Sequence, residues 1–445
     1  MKFEIDNQTL KDLEIFDTVK NRKSVFEMFN STYTIGGKDK LYNYLKNPLS
    51  DYEKIKERRN AIAFFQSFKL AGELEIDKNS LDFIEHYLNL GNYPTKPPTR
   101  FFAVEKGIFN KLAPSNDYYI VERGGVQYTI ELINIVYRFS ILLDQNHCPA
   151  LLKKYNEDVL TLPSLEGFSD ILQIEKLKKN SFYTMAKYDY MFRYIHKERI
   201  RFLLNLIYKY DVFMAVAKTA ARYSFSYPEV VSDQIGISIT GLFHPFISNP
   251  VKNNIEFVSQ RNHLFVSGPN MAGKSTFLKA LGIAVYLAHV GFPVPAEKMT
   301  INVLSGLYTT INLSDNINSG YSHFYSEVAR IKEVSGKLNE NKMMVIFDEL
   351  FRGTNVKDAY DGTLAVISAF TNVRNSYFAI SSHIVEAAYK LEHLPNIRFG
   401  YMEIIKKEEQ PHYTYKLKEG ISDERLGMHI IRQEKVIEII NKINN

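Results

Sequence analysis

Gly268-Pro269-Asn270-Met271-Ala272-Gly273-Lys274-Ser275 is the stretch on which the reading of this chain turns. It meets the spacing G-x-x-x-x-G-K-[ST] in full. Its surroundings fit as well. The apolar run Leu264-Phe265-Val266 precedes it, and a helical run from Thr276 through Leu287 follows. Gly268 and Gly273 let the backbone turn so that successive amides point inward and can cradle phosphate oxygens. The helix that follows adds the positive end of its dipole. On this reading Lys274 would reach the β- and γ-phosphates of a nucleotide, and Ser275 would ligate Mg²⁺. A chance match in a Gly-containing turn would not bring a strand on one side and a helix on the other.

A nucleotide hydrolase also needs an acid to hold the metal and a group to ready water. Met343-Met344-Val345-Ile346-Phe347 is an unbroken apolar run, the mark of a strand buried on both faces, and it ends at Asp348-Glu349. Two carboxylates at the carboxyl end of a central strand are costly unless a metal or donors await them. Asp348 would then bind Mg²⁺ through water and Glu349 would polarise the attacking water. The plainer reading is two acids opening an exposed loop. His383 follows the apolar segment 377–380, with Ser381 and Ser382 between. Alone, it reads either as a hydrogen-bonded structural residue or as a sensor of the γ-phosphate.

Outward from these motifs the chain shows two regimes. Its 445 residues suggest two or three domains. Residues 1 to about 230 are rich in helical periodicity and poor in strand signals. Within 188–221, Met191, Ile195, Ile200, Leu203, Leu204, Ile207 and Met214 recur at helical steps and predict one long amphipathic helix. Lys187, Arg193, Lys197, Arg199 and Arg201 lie along it, as a solvated face or as phosphate contacts. Pro94, Pro97 and Pro98 interrupt this half. After Tyr227-Pro228-Glu229, short β-branched runs alternate with helical patterns, which predicts a mixed or parallel sheet with crossover helices. Strands are expected over 235–239, 263–266 and 343–347, and one or two short helices over 423–443.

Apolar residues make up 45% and charged residues 24%, an ordinary globular balance. The formal charge of +5 permits a nucleic-acid partner without demonstrating one. Cys148 is the single cysteine, so no disulfide can form within the chain, which fits a reducing cytoplasm. The N-terminus carries no apolar signal region, and the longest apolar runs fall short of the ~20 residues of a membrane span. A soluble, cytoplasmic protein without a membrane partner is expected.

These residues together resemble the MutS family of DNA mismatch-repair ATPases, of the ABC class. The stretch from Gly268 to Thr276 is similar to that family's extended Walker A, with its distinctive Pro-Asn-Met insert. Asp348-Glu-Leu-Phe-Arg-Gly-Thr-Asn355, followed by Asp361-Gly362, resembles its Walker B and D-loop. Ser382-His383 falls where the family has its switch histidine. Ser314-Asp-Asn-Ile-Asn-Ser-Gly-Tyr-Ser-His-Phe324, then Glu327, is similar to its signature segment, and His244-Pro245 to the start of its ATPase domain. The stretch 29–51, with Thr32, Thr34, Gly36, Gly37, Leu41, Leu45, Pro48 and Leu49, followed by Ile55 and Arg58, resembles the start of the lever domain. The segment from Leu426-Gly427 to Val436-Ile437 resembles a short dimerisation element.

The resemblance implies an α/β fold: a helical lever domain over 1–230, an ABC-class P-loop ATPase domain over 231–415, and a helical dimerisation element over 416–445. It implies ATP and Mg²⁺ as ligands. Glu349, Lys274 and His383 would be catalytic. Gly268, Pro269, Asn270, Met271, Ala272, Gly273, Lys274, Ser275 and Thr276 would hold the nucleotide, and Ser275 and Asp348 the metal. It further implies a homodimer in which Gly320 and Ser322 of one subunit reach the γ-phosphate of the other. Without the surrounding motifs, Ser322 would read as an ordinary helix N-cap. DNA, mismatched, branched or otherwise deformed, would be the partner.

Departures accompany the likeness. Full-length relatives begin with a mismatch-recognition domain carrying a Phe-x-Glu wedge. This chain begins almost at the lever, so a short form is expected. Phe83-Ile84-Glu85 lies within a helical pattern and reads as coincidence. His323 stands where Thr is usual, and Pro250 where relatives often place an aromatic against adenine. The expected lack of recognition and full clamp domains motivates a second function, a nucleotide-gated scaffold with little direct DNA contact. A chromosome-structure ATPase is disfavoured, since no long heptad run interrupts the motor.

Overall fold

The computed structural model of the chain describes residues 2–16, 24–68, 77–91, 94–112, 117–174, 182–232, 236–269, 271–311, 323–338, 341–351, 355–407 and 410–422. They form two compact units. One comprises Met1–Met28, Asn47–Arg59 and Ala220–Asn445; the other comprises Phe29–Lys46 and Asn60–Thr219. The units are not collinear with the sequence. The N-terminal segment belongs with the C-terminal half, where a linear division would have placed it with residues 1–230.

In chain order the first helices are α1 (Asn7–Asp12), α2 (Val25–Phe29), α3 (Ile35–Lys46), α4 (Tyr52–Ser67), α5 (Lys78–Asn89), α6 (Arg100–Leu112), α7 (Asp117–Gln145), α8 (Ala150–Leu160), α9 (Phe168–Ile171), α10 (Phe182–Tyr190) and α11 (Lys197–Tyr223). The interleaved unit is helical. In α5, Leu81, Ile84, Tyr87 and Leu88 are buried at helical spacing, so Ile84 is core and the Phe83-Ile84-Glu85 match is an ordinary helix turn. The entry to α3 explains the Thr34-x-Gly36-Gly37 pattern. Asp211 on α11 accepts from the Tyr33 and Thr34 amides at 2.9 and 2.8 Å and from Thr34 Oγ1 at 2.7 Å. A Cβ on Gly37 would meet that carboxylate at 2.3 Å, and one on Gly36 would meet the Tyr208 ring at 2.4 Å.

The single helix expected over 188–221 is interrupted. A π-helical turn, Met191–Ile195, separates α10 from α11. It turns Arg193 into the core, where Nε and Nη2 each donate to Asp189 at 2.5 Å. Tyr87 Oη donates to the same carboxylate at 2.6 Å, and the guanidinium lies 5.0 Å from the Tyr87 ring centre. Arg193 is therefore neither on a solvated face nor at a phosphate. Lys187 and Arg201 are exposed and lie near Asp170 and Glu198, as a solvated face would have them.

The other unit carries the sheets. Its strands are β1 (Glu229–Val231), β2 (Gly236–Leu242), β3 (Asn253–Val258), β4 (His263–Ser267), β5 (Lys298–Asn302), β6 (Gly306–Thr310), β7 (Met343–Asp348), β8 (Tyr377–Ser382), β9 (Ile397–Lys407) and β10 (Gln410–Glu419). Its further helices are α12 (Lys274–Val290), α13 (His323–Lys337), α14 (Val356–Phe370) and α15 (Val385–Leu391). One sheet runs β1-β5-β2-β3. The other runs β10-β9-β4-β8-β7-β6, parallel except for the antiparallel edge strand β10. Every residue of β4, β7 and β8 is buried, as their continuous apolar runs predict. The register pairs Ser267 with Ser382 and Asp348 with Ser381, so the carboxyl ends of β4, β8 and β7 lie side by side.

The N-terminal segment docks on the β6 edge. Glu4 bridges to Gly306, and buried Asp12 accepts from Thr309 Oγ1 at 2.7 Å and the Ile311 amide at 2.9 Å. Residues 416–419 belong to β10, so the sheet continues past the expected boundary at 415. The expected terminal helices lie outside the described residues. No helix among the described residues is long and apolar enough to cross a membrane.

Candidate functional site

Three strand ends converge on one loop. β4 ends at Ser267, and the backbone then passes through left-handed conformations at Gly268 (φ 136°), Met271 (φ 71°) and Gly273 (φ 99°) before α12 begins at Lys274. Glycine adopts such angles without a Cβ clash. Met271 carries the strain of the left-handed region and points its side chain outward. Asn270 lies outside the described residues.

Lys274 is buried and curls back over the loop. Its Nζ donates to Gly268 O at 2.7 Å and Pro269 O at 3.0 Å, and lies 3.3 Å from Glu349 Oε1. Ala272 is buried beneath the loop, and Thr276 lines the cavity beside it. Ser275 Oγ donates to Asp348 Oδ2 at 2.5 Å, joining the first turn of α12 to the last residue of β7.

Glu349 follows Asp348 in a left-handed conformation, φ 56°. A non-glycine residue held there costs energy and marks a site where geometry is imposed. Its amide donates to Ser381 O at 3.1 Å and lies 3.2 Å from Ser381 Oγ. His383, just beyond β8, places Nδ1 3.6 Å from Glu349 Oε2, with its side chain 49% exposed against 10% for Glu349. The structure thus brings together Lys274, Ser275, Asp348, Glu349 and His383. Asp348 and Glu349 are not the opening of an exposed loop. Gly320 and Ser322 lie outside the described residues.

A cavity of about 720 Å³ opens beside this cluster. Lys274, Ser275, Glu349, Phe243, His244 and Tyr415 line it, and Pro250 is also at its wall. Tyr415 was not legible as a site residue. It lies on β10 at φ 56°, within a register shift between Tyr413 and Leu417. Asn253 on β3 holds that bulge, donating to Tyr415 O at 3.0 Å and accepting from the Leu417 amide at 2.8 Å. Bulges re-aim side chains, and here the ring lies 3.0 Å from where a Cβ on Gly273 would stand. Ser381 is a further site residue that no sequence motif marks. Its hydroxyl donates to Asp348 Oδ1 at 2.5 Å.

Comparison with known proteins finds two matched stretches. Residues 264–444 match the family model for MutS domain V, and residues 8–86 that for MutS domain III. A DNA mismatch repair protein MutS from Petrotoga mobilis is 22% identical across 99% of this chain and 65% of its own length. Proteins of the same name from Ehrlichia ruminantium and Anaplasma phagocytophilum are 30% and 32% identical, over 53% and 49% of this chain. Those alignments cover 30% and 27% of the relatives. The chain spans less than two thirds of the length of the relatives it matches.

Proposed function

This chain belongs to the MutS family, and from that premise we propose that it binds and hydrolyses ATP at the loop between β4 and α12. The observation that carries the proposal is the meeting of Lys274, Ser275, Asp348, Glu349 and His383 beside one cavity. A buried ammonium, a ring of loop amides and a helix N-terminus suit a triphosphate. Lys274 would exchange its bonds to Gly268 O and Pro269 O, and its ion pair with Glu349, for phosphate oxygens.

The Ser275 hydroxyl and the Asp348 carboxylate are hard oxygen donors already within hydrogen-bond distance of each other. Among the described residues no group of three or more His, Cys, Asp or Glu could form a metal cage. Mg²⁺ suits this arrangement, since it takes one or two protein oxygens and fills its octahedron with phosphates and water. When bound it would neutralise phosphate charge.

Glu349, relieved of Lys274, would orient water and accept its proton as the oxygen attacks the γ-phosphorus. His383 would hold the other carboxylate oxygen. The bond to the β-phosphate breaks and ADP and phosphate leave. The Tyr415 ring, on the cavity wall beside Gly273, would stack on the base. Gly320 and Ser322, by family likeness, would complete the site of a second subunit in a homodimer, and the helical unit would couple nucleotide state to DNA.

Steady-state hydrolysis by the wild type and by Glu349→Gln, with nucleotide binding followed by calorimetry, tests this. Retained binding with turnover reduced at least 100-fold is expected. Normal turnover by Glu349→Gln would remove the assignment. A filter-binding titration against duplex, mismatched and four-way-junction DNA across salt tests the coupling. Absence of binding in every nucleotide state would favour the nucleotide-gated scaffold.

A further inference from the structure

β6 is the edge of the larger sheet, and an edge strand presents a row of unpaired amides and carbonyls. Here the N-terminal segment covers that row. The Glu4 amide donates to Ser305 O at 2.7 Å, and Glu4 O accepts from the Leu307 amide at 3.0 Å. A Cβ on Gly306 would meet Glu4 O at 2.6 Å, so a glycine is needed for the two backbones to come this close. α1 continues the cover with side chains. Thr9 Oγ1 accepts from the Thr309 amide at 3.0 Å, and Asp12 Oδ2 from the Ile311 amide at 2.9 Å.

The same segment reaches two helices. Asp6 caps α1, its Oδ1 accepting from the Thr9 amide at 2.8 Å, and its Oδ2 accepts from Arg330 Nη1 on α13. Arg330 is 7% exposed, donates Nη2 to Thr309 O at 3.0 Å and lies 5.5 Å from the Tyr308 ring centre. Behind it, Lys279 of α12 donates to Glu14 Oε1 at 3.1 Å, and a Cβ on Gly282 would meet Leu13 at 2.6 Å. Ile311 precedes and His323 follows the stretch 312–322, to which Gly320 and Ser322 belong. One N-terminal segment thus holds the residues on both sides of that stretch.

We propose that residues 4–14 are a strap that sets the two ends of 312–322 for work at the nucleotide of a second subunit, with Asp6 and Arg330 as positioning residues. This rests on the ATP-dependent pairing proposed above. Covering an edge needs only the backbone, Thr9 and Asp12 contacts. The two ion pairs go further: Asp6 with Arg330 holds the helix that follows the stretch, and Glu14 with Lys279 holds the helix that follows the phosphate loop. The strap therefore fixes α13 relative to α12. A reacting or stabilising group misplaced by about 1 Å can cost roughly 100-fold in rate, so a hold of this kind acts on turnover more than on binding.

The test uses the full chain with Asp6→Asn, which keeps the helix cap and removes the charge that Arg330 meets. Arg330→Gln breaks the same pair from α13 and should behave alike. Hydrogen–deuterium exchange should quicken over 306–311 and 323–337 while 268–275 stays as in wild type. Calorimetry should show ATP binding unchanged, and turnover at saturating ATP should fall roughly 10-fold. Added Glu349→Gln subunits, unable to turn over but with an intact strap, should raise the turnover per Asp6→Asn subunit severalfold, because each supplies a well-set stretch to its partner's site. Unchanged exchange over 323–337 overturns the strap. Normal turnover by Asp6→Asn overturns the positioning role, and so does a loss that Glu349→Gln subunits fail to rescue or that follows weakened ATP binding. A wild type that hydrolyses no ATP, with exchange that still responds to Asp6→Asn, instead sinks the ATP reading and takes the positioning role with it.

Discussion

Ser381 Oγ donates to Asp348 Oδ1 at 2.5 Å, while Ser275 Oγ donates to the other oxygen of the same carboxylate. The Asp348 side chain is therefore fixed from both sides, by the strand beside it and by the first turn of α12. Fixing a ligand through its outer partner is worth 10- to 100-fold in metal affinity in other sites. Ser381→Ala should raise the Mg²⁺ concentration for half-maximal hydrolysis by about 10-fold, and Ser381→Thr should restore it. The magnesium dependence of the hydrolysis rate checks this. An unchanged half-point in Ser381→Ala would show that Asp348 needs no help from β8.

Tyr415 leads to a different readout. Its ring stands on the cavity wall beside Gly273, and Asn253 holds the bulge that aims it. Loss of one aromatic stacking partner costs about 1–1.5 kcal/mol, or roughly 10-fold in affinity. Calorimetric titration should show ATP binding weakened by about that factor in Tyr415→Ala, with Tyr415→Phe near wild type. Asn253→Ala should weaken binding in the same direction, since the bulge would lose both of its side-chain hydrogen bonds. Full affinity in Tyr415→Ala would place the base elsewhere in the cavity.

Local signals in the sequence reached only part of this site. Gly268 to Ser275 is one contiguous motif, and Asp348-Glu349 ends a run of apolar residues, so both are visible to spacing and periodicity. The strands β4, β7 and β8 were legible because burial on both faces leaves no polar residue to blur the run. Ser381 was not, because its role depends on the register that sets it against Asp348, 33 residues away. Tyr415 depends on a bulge anchored by Asn253, on a strand far away in sequence. The docking of the N-terminus rests on Asp12 meeting Thr309 across 297 residues, which no local pattern encodes.

The broken lever-like helix has the same origin. An arginine on an amphipathic pattern reads as surface, and the distant Tyr87 together with Asp189 helps to make a buried place for Arg193. Asp189→Asn removes a buried carboxylate that two Arg193 nitrogens bond and should destabilise the helical unit by about 3–5 kcal/mol. Replacing the pair together, as Asp189→Leu/Arg193→Met, should recover most of that loss. Urea unfolding of the three proteins decides between a pair that matters as a unit and one that does not.

Two buried histidines set the acid limit of the sheet unit. His289 is enclosed, donates Nδ1–H to Val285 O at 2.8 Å, and accepts the Leu304 amide at Nε2 at 2.9 Å. His263 stacks on Phe378 at 4.4 Å with Nδ1 2.9 Å from Asn262 Oδ1. Burial pushes both down to about 4. Each is neutral in the folded state at pH values where the unfolded chain, at its ordinary value of about 6.5, takes up a proton. The unfolded state therefore binds more protons between pH 6.5 and 4, so stability falls as pH falls through that window. By pH 5 each histidine should cost about 2 kcal/mol relative to pH 7. Urea unfolding monitored at pH 7 and pH 5 should show this drop, and His289→Gln, which can keep one of the two hydrogen bonds, should flatten it while lowering stability at pH 7. A stability that holds level from pH 7 to pH 5 would mean that these rings are already charged within the core.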